Sequence, residues 1–278
     1  MKVGICFFGH VGQASTWKDG IREKEYDVSG INQIEVDLLN PLREILTDFD
    51  TSFFVHSWSY DVGQQLASIL QPQKLEVEKP RNFFSIRQLK NHFLRSAGWK
   101  NPALFTYNLF SSYPKSKKLY WLKRMNAGMS RWYSTRRSLE LLEEYEKEND
   151  FKFDHIISIR LDFIFKRNCS SNEMISPNVL TLANFNKTPS LLEKPDFGNN
   201  TFNKNKCSDL FFSGPRDRIL RLKTISLMPH KFAISPHKSS FEVLFKDPKD
   251  YRNVEFHLYP WIDFGTFKSE YAGWKIDK

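Results

Sequence analysis

Apolar runs and helical stripes alternate along this chain. Residues 3–8 (VGICFF) are apolar throughout and end at Gly9-His10-Val11-Gly12. A short apolar run stopped by glycines predicts a buried strand followed by a loop. Residues 31–46 then carry Ile31, Ile34, Leu38, Leu42 and Ile45 at helical spacing, with Pro41 placed to bend or break that helix. Residues 50–55 (DTSFFV) predict a second strand, which runs into His56-Ser57-Trp58-Ser59. A short strand is predicted at 75–77, between Pro72 and Pro80. Residues 129–145 present Met129, Trp132, Arg136, Leu139, Leu142 and Tyr145 along one stripe and predict the best-defined helix. Further strands are expected at 153–165, 209–213 and 254–258, and short helices at 216–227 and 240–245. Strands alternating with helices predict an α/β fold with a mainly parallel central sheet flanked by helices. Residues 80–118, basic, aromatic and without period, read as a variable insertion or lid, and 183–206 as a long loop.

The stretch at 151–167 (FKFDHIISIRLDFIFKR) breaks this pattern. A buried strand has no need of charge, yet Arg160 and Asp162 interrupt the apolar run two positions apart. Period two puts both on one face. In an open α/β sheet, ligands bind beyond the carboxyl ends of strands. The pair therefore reads either as an internal ion pair closing a core strand or as part of a site for a phosphorylated or metal-bound ligand.

The formal net charge of +9 adds to this picture. Nucleic acid, an anionic membrane surface and a phosphorylated small substrate are the three partners such charge can serve. The cations fall in short clusters (115–118, 123–124, 131–137 and 216–223) rather than in one tail. That pattern fits a cleft or a solvated face better than a nucleic-acid arm. Cys6, Cys169 and Cys207 lack metal-ligand spacing and are odd in number, so neither a structural zinc motif nor a disulfide framework is supported. A reducing cytosol is the expectation. No apolar stretch reaches membrane-spanning length and no secretory leader is visible, so contact with a membrane is expected to be peripheral at most.

Three carboxylates stand at element boundaries: Asp162, Asp209 and Glu242. Such groups suit metal binding and general-base work. Mn²⁺ or Mg²⁺ held by Asp162 would bridge a diphosphate, and Arg160 with nearby cations would neutralise the same charge without a metal. There is no P-loop, no G-x-S-x-G elbow, no H-E-x-x-H and no kinase signature. His10 and His56 are loop histidines, read as structural or as ligand contacts.

Four segments in this order resemble GT-A-like nucleotide-sugar glycosyltransferases of the bacterial, phage and large-virus surface-polysaccharide type. They are VGICFFGHVGQ, DTSFFVHSWS, the helix MSRWYSTRRSLELLEEYE leading into FDHIISIRLDFIF, and SDLFFSGP with a later FEVLF. Together they span residues 1 to about 258 in the order this family shows. The resemblance implies one GT-A-like, Rossmann-like domain over residues 1–278. It implies a nucleotide-sugar donor as co-substrate, a glycan or glycoconjugate acceptor, no nucleic-acid partner and a cytoplasmic location. Arg160-x-Asp162 would occupy the place of the family's D-x-D motif. Because Arg160 replaces the first acid, activity is expected to survive chelation at least in part. The implied donor contacts are Gly9, His10, Val11, Gly12, His56, Arg124, Arg131, Arg160 and Asp162, with Lys123 and Arg136 adding charge. Asp209 is the first choice for general base and Glu242 the second. The other readings from the residues alone are a noncatalytic binding domain on the same fold and a basic nucleic-acid-binding protein.

Overall fold

The computed structural model describes residues 1–11, 13–18, 21–26, 31, 34–81, 83, 115–163, 171–175, 180–183, 211–228, 240, 243–244 and 257–259. Its centre is a seven-stranded mixed sheet in the order β5-β4-β1-β6-β8-β7-β9. The strands are β1 (Lys2–Gly9), β4 (Asp50–Ser57), β5 (Lys74–Val77), β6 (His155–Arg160), β7 (Thr181–Ala183), β8 (Phe211–Pro215) and β9 (His257–Tyr259). A separate hairpin pairs β2 (Gln13–Lys18) with β3 (Ile21–Tyr26). Strands β5, β4, β1 and β6 run parallel; β8 lies antiparallel to both β6 and β7. The expected α/β fold with a mostly parallel sheet is thus present.

Strand β1 is buried on both faces, as a central parallel strand must be. Val3, Ile5 and Phe7 join Val55, Ile157 and Ile159 in one core, closed by Ile34, Leu38, Leu42, Leu66 and Leu70. Cys6 points the other way and packs with Phe54, Ile156 and Phe212 beneath Trp132, Leu139 and Leu142. Burial pushes the Cys6 thiol up, followed by the nearby Glu146 and Glu143 carboxylates, in keeping with a structural thiol.

The helix expected at 31–46 is split. A π-helical turn spans Glu35–Leu39 and gives way to α1 (Asn40–Ile45), with Pro41 in the first turn of α1. Proline cannot donate in the ladder, and the wider turn accommodates the missing N–H. After β4 comes α2 (Gly63–Leu70), and after β5 the long α3 (Lys115–Glu148). The Lys115–Lys118 cluster therefore opens a helix; the sequence pattern had assigned it to the insertion. Of the rest of that insertion only Pro80, Arg81 and Phe83 are described, and of the 183–206 loop only Ala183. Three further short helices among the described residues are α4 (Ser171–Met174), α5 (Arg216–Leu220) and α6 (Lys223–Leu227); the last two replace the single helix expected at 216–227.

Helix α3 packs across β1, β4 and β5 and runs against their direction: Lys74 meets Glu148, Glu76 meets Arg137, and Glu78 meets Tyr133. The close approach depends on Gly4, where a Cβ would collide with Leu142 and sit 3.2 Å from Phe153. Glu146 anchors the other end of α3. Its carboxylate receives Nε and Nη2 of Arg216 at 2.7 and 2.6 Å and the Phe153 N–H at 2.9 Å. Among the described residues, no helix is long and apolar enough to cross a membrane.

His155 opens β6 in a fully enclosed setting. The Ser213 hydroxyl donates to Met174 O at 2.8 Å, so it can only accept from His155 Nε2, also at 2.8 Å. That bond places a proton on Nε2, and Nδ1 is buried without a partner. Burial lowers its pKa to about 4. Between pH 6.5 and 4 the unfolded chain takes up a proton that the folded chain does not, so stability falls as pH falls through that window. One such group costs about 2 kcal/mol between pH 6.5 and 5. Urea unfolding at pH 7 and pH 5 should show this loss, and His155→Gln should reduce it. Equal wild-type stability at the two pH values would contradict the assignment.

Candidate functional site

The strand order turns back at β1: β4 and β5 extend to one side of it, β6 to the other. That reversal is a topological switch point, where the two following connections leave for opposite faces and open a crevice beyond the carboxyl ends. Phe8 pairs with Arg160 on one side and His56 on the other. Gly9, His10, Val11, His56, Arg160 and Asp162 accordingly share one sheet edge.

Asp162 lies two residues beyond the strand. Leu161 N–H bonds to Phe8 O and Phe163 N–H to Arg160 O, both at 3.0 Å, so residues 160–163 close a turn at the switch point. Phe163 clamps that turn by stacking on Phe211, with ring centroids 5.6 Å apart. Within the turn Arg160 and Asp162 form an ion pair, both largely buried. The face shared by these two side chains thus comes from a turn, whereas period two in a strand had predicted it.

Gly9 has φ +107°, a conformation that side chains rarely adopt, and a Cβ there would meet nothing within 4 Å. The position offers open room. It does not offer the free amide donors that a glycine loop leads one to expect. Gly9 N–H donates to Ser134 Oγ and Val11 N–H to Ser59 Oγ, each at 2.9 Å. Gly9 O is also taken, by Trp58 N–H and the Ser57 hydroxyl. These serines satisfy amides that would otherwise be orphaned at the strand end. At Gly9 and Val11 the loop therefore contributes shape more than hydrogen bonds.

Of the remaining sequence candidates, Arg131 and Arg136 lie on the part of α3 that reaches this edge, close to Ser134. Arg136 pairs with Glu140 at 3.7 Å and lies over the Tyr133 ring. Arg124 also belongs to α3, with its side chain outside the described residues, as is that of Lys123. Gly12, Asp209 and Glu242 are outside them too. Phe211, two residues after Asp209, pairs with Ile159, so the antiparallel β8 begins at the edge where the parallel strands end.

Two acids at this edge were not singled out from the sequence. His56 faces Glu76 across the β4–β5 pair, and Glu78 follows two residues later on the same side. These three side chains could hold a metal ion, since one donor atom from each lies within 4.8 Å of the others. His56 is fully buried, and that burial lowers its pKa to about 4. Burial pushes the Glu76 carboxyl up, but its hydrogen bonds from Arg137 outweigh this and hold it below the usual range. Burial, then the facing Glu76, push Glu78 up. The signal lay in Lys74-Leu75-Glu76-Val77-Glu78, whose alternation puts every charge on one face. Matching partners recur on α3 at Tyr133, Arg137, Glu144 and Glu148.

No family model matches this chain, and no curated protein matches its sequence.

Proposed function

We propose that this protein is a glycosyltransferase that moves a sugar from a nucleotide-sugar donor to a hydroxyl of a glycan or glycoconjugate acceptor. The observation that carries this reading is the switch point between β1 and β6, with open space above Gly9 and the Arg160–Asp162 pair in the adjoining turn. A crevice at that place is where α/β sheets bind nucleotides. The GT-A-like resemblance of the sequence points to the same edge.

In this reading Asp162 anchors the donor through its ribose or sugar, or through Mn²⁺ or Mg²⁺. Arg160, with Arg131 and Arg124 from α3, stabilises the leaving diphosphate. His10, Val11 and Gly12 complete the donor side; His56, read from the sequence as a donor contact, is fully buried. Asp209 deprotonates the acceptor hydroxyl, with Glu242 as the second candidate. The enzyme acts in the cytoplasm, with at most peripheral membrane contact.

The charge pairing disfavours a nucleic-acid partner. Arg137, Arg216 and Lys223, members of the basic clusters, are committed to Glu76, Glu146 and Glu143. One observation favours a noncatalytic binding domain instead: Asp162 already has Arg160 as its counter-ion, so the pair is satisfied without a ligand. A thermal-shift screen against UDP-, GDP-, CMP- and dTDP-sugars, with and without Mn²⁺, tests the proposal. Binding of one donor raises the melting temperature by mass action. Transfer to a glycan acceptor then separates catalysis from binding alone. A flat response to every nucleotide-sugar would overturn the reading.

A further inference from the structure

We propose that His56, Glu76 and Glu78 form a binding site for a divalent transition-metal cation, separate from the Arg160–Asp162 turn. The coordinating atoms are His56 Nε2 and one inward carboxylate oxygen from each glutamate.

The protons around Ser134 carry the argument. Its Oγ accepts the Gly9 N–H at 2.9 Å, lies 2.7 Å from His56 Nδ1, and donates to His56 O at 3.2 Å. A hydroxyl has a single proton. Of the two places open to that proton, the carbonyl is the one that lets Oγ accept from Nδ1–H and leaves the ring bare at Nε2. This tautomer, fixed by the bond at the other nitrogen, is the one a metal-binding imidazole needs. Nε2 is fully buried and has no hydrogen-bond partner. The atom it faces is Glu78 Oε2, 3.9 Å away, also buried and unpartnered. Two lone-pair donors that face each other across a gap call for a positive species between them.

The other carboxylate oxygens are already held from outside. Glu78 Oε1 receives Arg81 Nη2 at 2.7 Å and the Tyr133 hydroxyl at 3.3 Å. Glu76 Oε2 receives Arg137 Nε and Nη2 at 2.9 and 2.6 Å. Such outer bonds orient ligating carboxylates. Metal–ligand distances of about 2.0–2.2 Å put tetrahedral donor atoms roughly 3.4 Å apart, so closing the 4.8 Å set takes shifts of about 1–1.5 Å. An imidazole beside two carboxylates favours Zn²⁺ or Mn²⁺ over Mg²⁺ and Ca²⁺. The site lies on the β4–β5 side of β1, whereas Asp162 follows β6 on the other side. It stands whether or not the protein transfers sugars. A proton shared by Glu76 and Glu78 is the competing occupant.

Calorimetric titration of the chelator-treated full chain with ZnCl₂, MnCl₂ and MgCl₂ tests the site. One saturable equivalent of Zn²⁺ or Mn²⁺ is expected, with Mg²⁺ weaker. Glu78→Gln, which keeps the shape and the Arg81 and Tyr133 contacts, should weaken binding at least about tenfold, and Asp162→Asn should leave it unchanged. Zinc-edge X-ray absorption of the wild type, which needs no variant to fold, should show imidazole coordination. No saturable binding, affinity unchanged in Glu78→Gln, loss in Asp162→Asn, or a zinc spectrum without imidazole would each overturn the proposal.

Discussion

Replacing Asp162 by alanine is expected to lower kcat/KM for sugar transfer by about 10²–10³, the usual cost of removing a charged group that stabilises a transferring phosphate or its metal. The loss should appear in donor affinity, because Asp162 lies at the switch point proposed to bind the donor. Asp209→Asn, by contrast, should cost about 10²–10⁴ in turnover with donor affinity kept, as for a general base. Glu242→Gln is the control for the second candidate. Side-by-side titration and turnover separate these roles. A protein in which all three variants handle a verified donor–acceptor pair like wild type would overturn the assignment.

Glu146→Ala should destabilise the fold by about 3–5 kcal/mol, the range for removing one partner of a buried ion pair. The variant would strand the Arg216 guanidinium and leave the Phe153 N–H without its acceptor. Because Glu146 joins the end of α3 to the segment leading into β6 and to α5, the loss should be global and cooperative. Urea unfolding measures it, and adding Arg216→Met should recover part of it by removing the stranded charge. A loss below about 1 kcal/mol would show the pair to be solvated and of the ordinary surface kind.

The central strands were legible as apolar runs: residues 3–8 and 156–159 are buried on both faces, and in 50–55 the run Phe53-Phe54-Val55 sufficed. Pro41 announced the break that the π turn accommodates. The β2–β3 hairpin went unread although Asp19-Gly20, the dipeptide of two-residue hairpins, stands between its strands. Its polar strands lack the apolar run that marked the others. At the switch point, Gly9, Arg160 and Asp162 were visible as polar interruptions of apolar runs. Glu76 and Glu78 were not, because acids on a short strand look like solvent-facing residues until the β4–β5 register sets them beside His56. The serines that take up the Gly9 and Val11 amides were equally hidden, since Ser134 is 125 residues from Gly9.

The most direct measurement of the central claim is where a nucleoside diphosphate binds, read from a crystal structure of the protein soaked with the diphosphate of the donor found by the thermal-shift screen. The account predicts it beyond the carboxyl ends of β1 and β6, over Gly9, with the diphosphate in reach of the Arg160–Asp162 turn. A diphosphate bound at the opposite sheet edge, or away from the sheet, would contradict it.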